Sequence, residues 1–284
     1  MNSFNSLPAE TYSFVLKSND MKIGFIGLGL LGLPIAENLL ATGYELYVYN
    51  RTASKAAPLA EKGAKVCTAI AGLAEACDIV LSIVFDDAAV KEISGELLNH
   101  LSPPQVHVCL STISTELART LQHQHAEKGI YYISAPVFGR PEAAVARQLN
   151  YAVSGAAAVK EQVRTILENS GGTVWDFGEE IAAANLVKLC GNFLIIAAGE
   201  AIRECTAIAR ASGLPVEAMW EMFNQSLFKS PLYQSYSARI LQAPAGAGAF
   251  VSNIPMKDLG LLAAHANAMG QGLPMPFFLM EQLR

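Results

Sequence analysis

The chain has 284 residues, 52% hydrophobic and 16% charged, enough apolar material for one large core or two ordinary ones. Its formal net charge of −5, with no dense Lys/Arg block, argues against a general attraction for nucleic acid or an anionic membrane surface. The five cysteines, Cys67, Cys77, Cys109, Cys190 and Cys205, form no C-x-x-C pair and sit in apolar stretches, so buried, reduced thiols of a cytoplasmic protein are expected rather than a metal or redox site.

Residues 1–20, "MNSFNSLPAETYSFVLKSND", lack the basic segment and long apolar core of a secretory signal and are expected to form a flexible extension. From Met21 onward, strand-like and helix-like segments alternate. "KIGFI" reads as a strand, "LGLPIAENLLATG" as a helix ending at Gly43, and "YELYVYN" as the next strand. "DIVLSIV" and "QVHVCLS" are short Val/Ile/Leu-rich runs of the kind buried on both faces of a parallel sheet. His123 and His125 in "QHQHAEKG" are two apart and do not share a helix face, which predicts a solvated surface rather than a metal pair, and no metal site is expected. "IYYISAPVFG", "NYAVSG" and "GGTVWDFG" add later strands. The alternation predicts a doubly wound α/β domain over residues 21–180.

After Gly178 the chain reads as helices. The first, from about Glu179 to Ser212, would be roughly 45 Å long at about 1.5 Å per residue. Apolar residues nearly surround its middle, so it is expected to lie between packing partners. Its apolar run "FLIIAAG", preceded by Lys188 and stopped by Glu200, is too short to span a bilayer. "LPVEAMWEMFNQSL", "SPLYQSYSARILQ", "IPMKDLGLLAAHANAMG" and "MPFFLMEQLR" complete an all-helical domain over residues 181–284, with "APAGAGAF" as a small-residue loop.

Gly27, Gly29 and Gly32 form G-x-G-x-x-G between the first strand and the first helix, the context in which the pattern has a mechanism. Gly27 permits the tight turn, Gly29 lets a pyrophosphate approach the backbone, and Gly32 lets the helix pack on the strand. The phosphates would meet the positive N-terminus of the helix. Leu30 and Leu31 inside the turn, and Val84 and Phe85 after "DIVLSIV", are further candidate cofactor contacts. The second strand ends "YVYNRT", so Asn50 stands where an acid for the ribose hydroxyls is expected, followed by Arg51 and Thr52. An arginine and a hydroxyl suit a 2′-phosphate through charge-assisted hydrogen bonds, which predicts NADP(H) in preference to NAD(H).

The series "IGFIGLGLLGLPIAENLL", "NRT", "LSTIS", "APVFG", "NLVKLCGN" and "MKDLGL" resembles the β-hydroxyacid dehydrogenase family, from Met21 nearly to the C-terminus and in the family's order. The resemblance implies a Rossmann domain, an all-helical domain and an active site in the cleft between them. It also implies a homodimer built around helices of the second domain, and a reversible, NADPH-dependent reduction of a small aldehyde or oxoacid. Lys188 and Asn192, four apart on one helical face, match the family's catalytic pair: Lys188 as proton donor, Asn192 holding substrate or lysine. Ser111 and Thr112 match the hydroxyl pair beside the substrate carboxylate and the nicotinamide, and Lys257, followed by Asp258, matches a lysine reaching towards the cofactor.

Two departures bear on the substrate and on the chain's extent. Where the family commonly has Asp-Ala-Pro-Val-Ser-Gly-Gly, this chain has "SAPVFGR", so that Val137, Phe138, Gly139 and Arg140 form the expected substrate loop with an aromatic and a cation in place of a serine and a glycine. The chain also ends at "MEQLR", where the family usually continues for about another helix. Two alternatives compete: an imine reductase-like enzyme, a class that shares the fold and generally lacks the lysine, and a non-catalytic dinucleotide-binding protein.

Overall fold

The computed structural model describes residues 21–244, 248–250 and 252–283. The expected N-terminal extension, and residues 245–247 of the small-residue loop "APAGAGAF", lie outside the described residues.

The α/β part runs β1 (Lys22–Ile26), α1 (Gly32–Ala41), β2 (Glu45–Tyr49), a 3-10 turn at Ala53–Ala56 leading into α2 (Ala57–Glu61), β3 (Lys65–Val66), α3 (Ile70–Ala76), β4 (Ile79–Ser82), α4 (Asp87–His100), β5 (Val106–Cys109) and α5 (Thr115–Glu127). It continues through β6 (Tyr131–Ser134), β7 (Val137–Phe138), α6 (Pro141–Val145), β8 (Leu149–Gly155), α7 (Ala157–Asn169) and β9 (Gly172–Asp176). The strands order as β3-β2-β1-β4-β5-β6-β8-β7, with β9 also paired to β8. From β3 to β6 every pairing is parallel, while β8 runs antiparallel to β6 and β7. This is a Rossmann sheet, and the chain reverses its direction of winding between β1 and β4, where such sheets bind ligands.

Both faces of the sheet are covered, as the continuous apolar runs require. On one face Ile23, Phe25, Ile79 and Leu81 join Ile35 and Leu39 of α1 and Val163 and Ile166 of α7. On the other, Ile26 and Val80 pack with Leu73 of α3 and Leu97 of α4. Alternate residues of one strand thus enter opposite cores, the period-two rule applied to a strand without a wet face.

The helical part comprises α8 (Ala183–Ala211), α9 (Val216–Gln225), α10 (Pro231–Gln242), α11 (Ile254–Ala268) and α12 (Pro274–Gln282). α8 is 29 residues long, within the span its sequence predicts. Ile202 and Ala209 pack with Trp220 and Ile240, while Ile196 packs with Leu259 and Leu279. By length and composition α8 could cross a membrane, a criterion that the apolar run alone does not meet. Burial of Lys188 and Glu200 within it marks it as a core helix of this unit.

By compactness the chain divides into two units, and Thr112–Ala118 groups with the helical one although the surrounding Rossmann chain groups with the other. Two bonds within that unit hold the segment: Lys257 Nζ donates to the Thr112 carbonyl at 2.8 Å, and Thr115 Oγ1 lies 2.8 Å from His265 Nδ1.

Two sequence expectations are corrected. His125 is not solvated: it is fully buried, its Nδ1 2.7 Å from the Leu121 carbonyl and its Nε2 3.1 Å from Nδ1 of the equally buried His107. It sits four residues after Leu121 and seven after Ala118, on the inward stripe of α5. Nor are all cysteines buried: Cys77 and Cys109 are, Cys67 is half-buried, and Cys190 and Cys205 are exposed on α8.

Candidate active site

The glycine turn has the geometry its spacing predicts. Gly27 follows β1 with φ +99°, and a Cβ there would lie 2.0 Å from the carbonyl oxygen of Ile83, just past β4. A Cβ on Gly32 would lie 1.9 Å from the Gly27 carbonyl oxygen, so only glycine lets α1 start this close to β1. Gly29 differs, because a Cβ there would meet nothing within 4 Å. Neither packing nor a left-handed φ requires glycine there, and the space over it is open to an approaching ligand. α1 has Leu31 at its N-cap, with no side-chain cap bond and no acid in its first turn, leaving its positive end available to an anion. Leu30 is 83% exposed beside it, and Phe85, just past β4, is 55% exposed. These residues fit a dinucleotide pyrophosphate.

Asn50 has a defined local task. Its Oδ1 accepts the Leu28 backbone N–H at 2.8 Å and its Nδ2 donates to the Thr52 carbonyl at 2.9 Å. The amide thereby ties the end of β2 to the glycine turn, while Arg51 and Thr52 remain exposed at the rim. Ser111, taken from sequence as a substrate contact, is buried, and its hydroxyl accepts the Val84 N–H at 2.8 Å. It fixes the chain leaving β4, next to the glycine turn.

The substrate-loop candidates separate. Val137 is buried in the sheet core, Phe138 is half-buried, and Gly139 and Arg140 are exposed. Gly139 has φ +140°, a conformation only glycine holds easily. The Arg140 guanidinium lies 3.6 Å from the Glu142 carboxylate, a loose surface pair that contributes little. Val137 therefore shapes the loop from behind.

In the helical unit, four ionic and polar groups converge between α8 and α11. Lys188 is 8% exposed and Asp258 1% exposed. Asn192 Nδ2 donates to Asp258 Oδ2, and Lys257 Nζ lies 3.1 Å from Asp258 Oδ1. Lys257 thus spans Asp258 and the Thr112 carbonyl, which anchors the segment carrying Thr112. Burial, opposed by the Asp258 charge and reinforced by that of Lys257, brings the Lys188 pKa down from 10.5 to about 8. A lysine of this kind holds a proton at neutrality and can release it there. Sequence named Lys188, Asn192 and Lys257 as candidates, with Asp258 following Lys257 as the second member of a Lys-Asp pair that a solvated face would equally explain; the structure buries Asp258. Its burial joins the other three, and its separation of 66 residues from Asn192 hides that from any local pattern.

Comparison with known proteins identifies the family. The model of the NAD binding domain of 6-phosphogluconate dehydrogenase matches residues 22–178, and that of the NAD-binding domain of NADP-dependent 3-hydroxyisobutyrate dehydrogenase matches residues 182–283. An uncharacterized oxidoreductase, YfjR, of Bacillus subtilis is 36% identical, over 90% of this chain and 90% of its own length. A 3-hydroxyisobutyrate dehydrogenase of Pseudomonas aeruginosa is 31% identical, over 89% and 88%. The solved structure of Psf3 in complex with NADP+ and 2-OPP superposes with a TM-score of 0.81 at 29% identity, over 91% and 92% of the two chains. The chain belongs to the β-hydroxyacid dehydrogenase family and is an NAD(P)-dependent oxidoreductase acting on CH–OH groups.

Proposed function

We propose that this chain is an NADPH-dependent reductase of a small aldehyde or oxoacid, reversible as a hydroxyacid dehydrogenase, with Lys188 as the proton donor and a homodimer as the working unit. The observation that carries the reading is the buried Lys188, its pKa brought down to about 8 beside Asp258. When bound, the nicotinamide supplies the hydride. Lys188 Nζ then gives its proton to the substrate oxygen, a step in which such a group contributes roughly 10²–10⁴-fold. Asn192 holds Asp258, and Asp258 keeps a negative charge near the lysine, so the ammonium persists at neutral pH in spite of burial. The same residues run the reverse reaction with Lys188 as base. The lysine also disfavours the imine reductase alternative, whose members generally lack it.

Cofactor choice rests on the rim of β2. Arg51 and Thr52 are exposed, and Asn50 adds no negative charge there. NADPH is expected to bind more tightly than NADH, because charge-assisted hydrogen bonds of about 1.5–3 kcal/mol each favour the 2′-phosphate. Dissociation constants from fluorescence titration test this: Arg51→Asp should reverse the preference. Equal affinities for the two cofactors in the native protein would remove the basis of the assignment. Substrate class is read by following NADPH oxidation over a panel of aldehydes, oxoacids and cyclic imines, where turnover of imines alone would favour the other enzyme class.

A further inference from the structure

The segment that leaves β5 and opens α5 is tied to α11 at two points. At one, Lys257 Nζ donates to the Thr112 carbonyl at 2.8 Å; at the other, Thr115 Oγ1 lies 2.8 Å from His265 Nδ1. The first contact belongs to the charge cluster around Asp258, and the second has no task in the proposed chemistry. The start of α5 does not depend on it. Ser114 Oγ accepts the Leu117 N–H at 3.1 Å, capping the helix, and Ile113 and Ala118 are fully buried on their own account.

His265 follows Asp258 by seven residues, about two helical turns, so both project from one side of α11. One side of a single helix thus carries the carboxylate that bears on Lys188 and the ring that grips Thr115. The grip is insensitive to the charge of the ring. A neutral Nδ1 accepts the Thr115 hydroxyl proton, and a protonated one donates to the same oxygen. Thr115 is 5% exposed, so little water reaches the hydroxyl to replace the ring.

We infer that His265 is a positioning residue: by holding Thr115 it fixes the segment on α11, keeps the Thr112 carbonyl on Lys257, and so sets how much of the Lys257 charge falls on Asp258. The inference rests on Lys188 as the proton donor of the proposed function. Lys257 Nζ is shared between the Thr112 carbonyl and Asp258 Oδ1, which lies 3.1 Å away. With Thr115 released, the carbonyl can leave and the ammonium turns to Asp258 alone. The charged groups that act on Lys188 are Asp258, which opposes the effect of burial, and Lys257, which adds to it, both on α11. A carboxylate more fully paired with Lys257 supports the Lys188 ammonium less, so Lys188 gives up its proton at lower pH.

The test is kcat for NADPH-dependent reduction against pH, in the full chain, for the native protein, His265→Ala, Thr115→Val, the double variant and His265→Asn. His265→Ala and Thr115→Val should each lower kcat on the acid side of the inflection by about 10- to 10²-fold. Each should also move the inflection about one pH unit lower. The double variant should be no worse than either single one, because both break the same bond. His265→Asn, whose amide oxygen can accept the Thr115 hydroxyl, should restore most of both. Native kcat and inflection in either single variant would overturn the inference. So would a fall in kcat with an unmoved inflection, additive losses in the double variant, or no rescue by asparagine, since each assigns His265 to the fold alone. These outcomes leave the proposed function standing; normal turnover by Lys188→Ala, or no turnover by the native protein, would overturn that function and this inference with it.

Discussion

At the residue scale, three glycines of one motif do three different things, and the difference can be measured. A Cβ at Gly27 would strike a backbone oxygen at 2.0 Å, whereas one at Gly29 would meet nothing. Gly27→Ala should therefore cost folding free energy, about 1–3 kcal/mol for a strained backbone position, lowering Tm by several degrees. Gly29→Val should leave Tm nearly unchanged and abolish most NADPH binding. Thermal melts paired with cofactor titration check both, and a Gly29→Val protein that binds NADPH normally would show that the turn does not receive phosphate. The motif was legible because its constraints are local. The bonds of Asn50 to Leu28 and of Ser111 to Val84 were not, since each joins residues from different strands of the sheet. Arg140 was expected in the substrate loop, and in the structure it is exposed and lies beside Glu142.

At the scale of elements, α5 shows how an amphipathic stripe can include a polar residue. His125 follows Leu121 by four positions, so the helix turns it inward against His107 on β5 and Tyr132 on β6. With Nδ1–H of His125 donating to the Leu121 carbonyl, His107 Nδ1–H donates to His125, and Ser82 Oγ–H, 2.8 Å away, donates to His107 Nε2. This ordering requires both rings to be neutral. Burial pushes the His107 pKa well below 6.5 and that of His125 down to about 4. The unfolded chain therefore binds more protons than the native one below pH 6.5. The stability these groups contribute is complete above that pH and is lost as pH falls towards 4, by up to about 1.4 kcal/mol per pH unit for each histidine. Tm measured from pH 7 to 4.5 should fall, and a His107→Leu/His125→Leu variant should fall less steeply. Identical slopes would mean that the pair is not the titrating element. The stripe was present in the sequence, but the polarity of histidine concealed it. α8, expected to lie between packing partners, is buried within the chain through Lys188, Ile196 and Ile202, while Leu194 and Ile208 on another face are exposed.

At the scale of the whole molecule, alternation of strand and helix followed by helices alone gave the architecture directly, because burial on both sheet faces and the 3.6-residue period are properties of the sequence itself. The grouping of Thr112–Ala118 with the helical unit could not be read this way, as it depends on bonds to Lys257 and His265 about 150 residues on. Those bonds bring the loop after β5 into the unit that holds Lys188, Asn192 and Asp258. The chemistry assigned to that unit depends on one proton at Lys188 Nζ. Reduction needs the ammonium form, and with a pKa near 8 its supply is constant at lower pH and falls about tenfold per pH unit above it. The decisive measurement is kcat for NADPH-dependent reduction against pH in the native protein and in Lys188→Ala, with NADPH affinity recorded alongside. The account predicts an inflection near pH 8 in the native enzyme, a loss of about two to four decades with no such inflection in the variant, and unchanged NADPH binding; a Lys188→Ala enzyme that turns over normally, or keeps the same inflection, would contradict it.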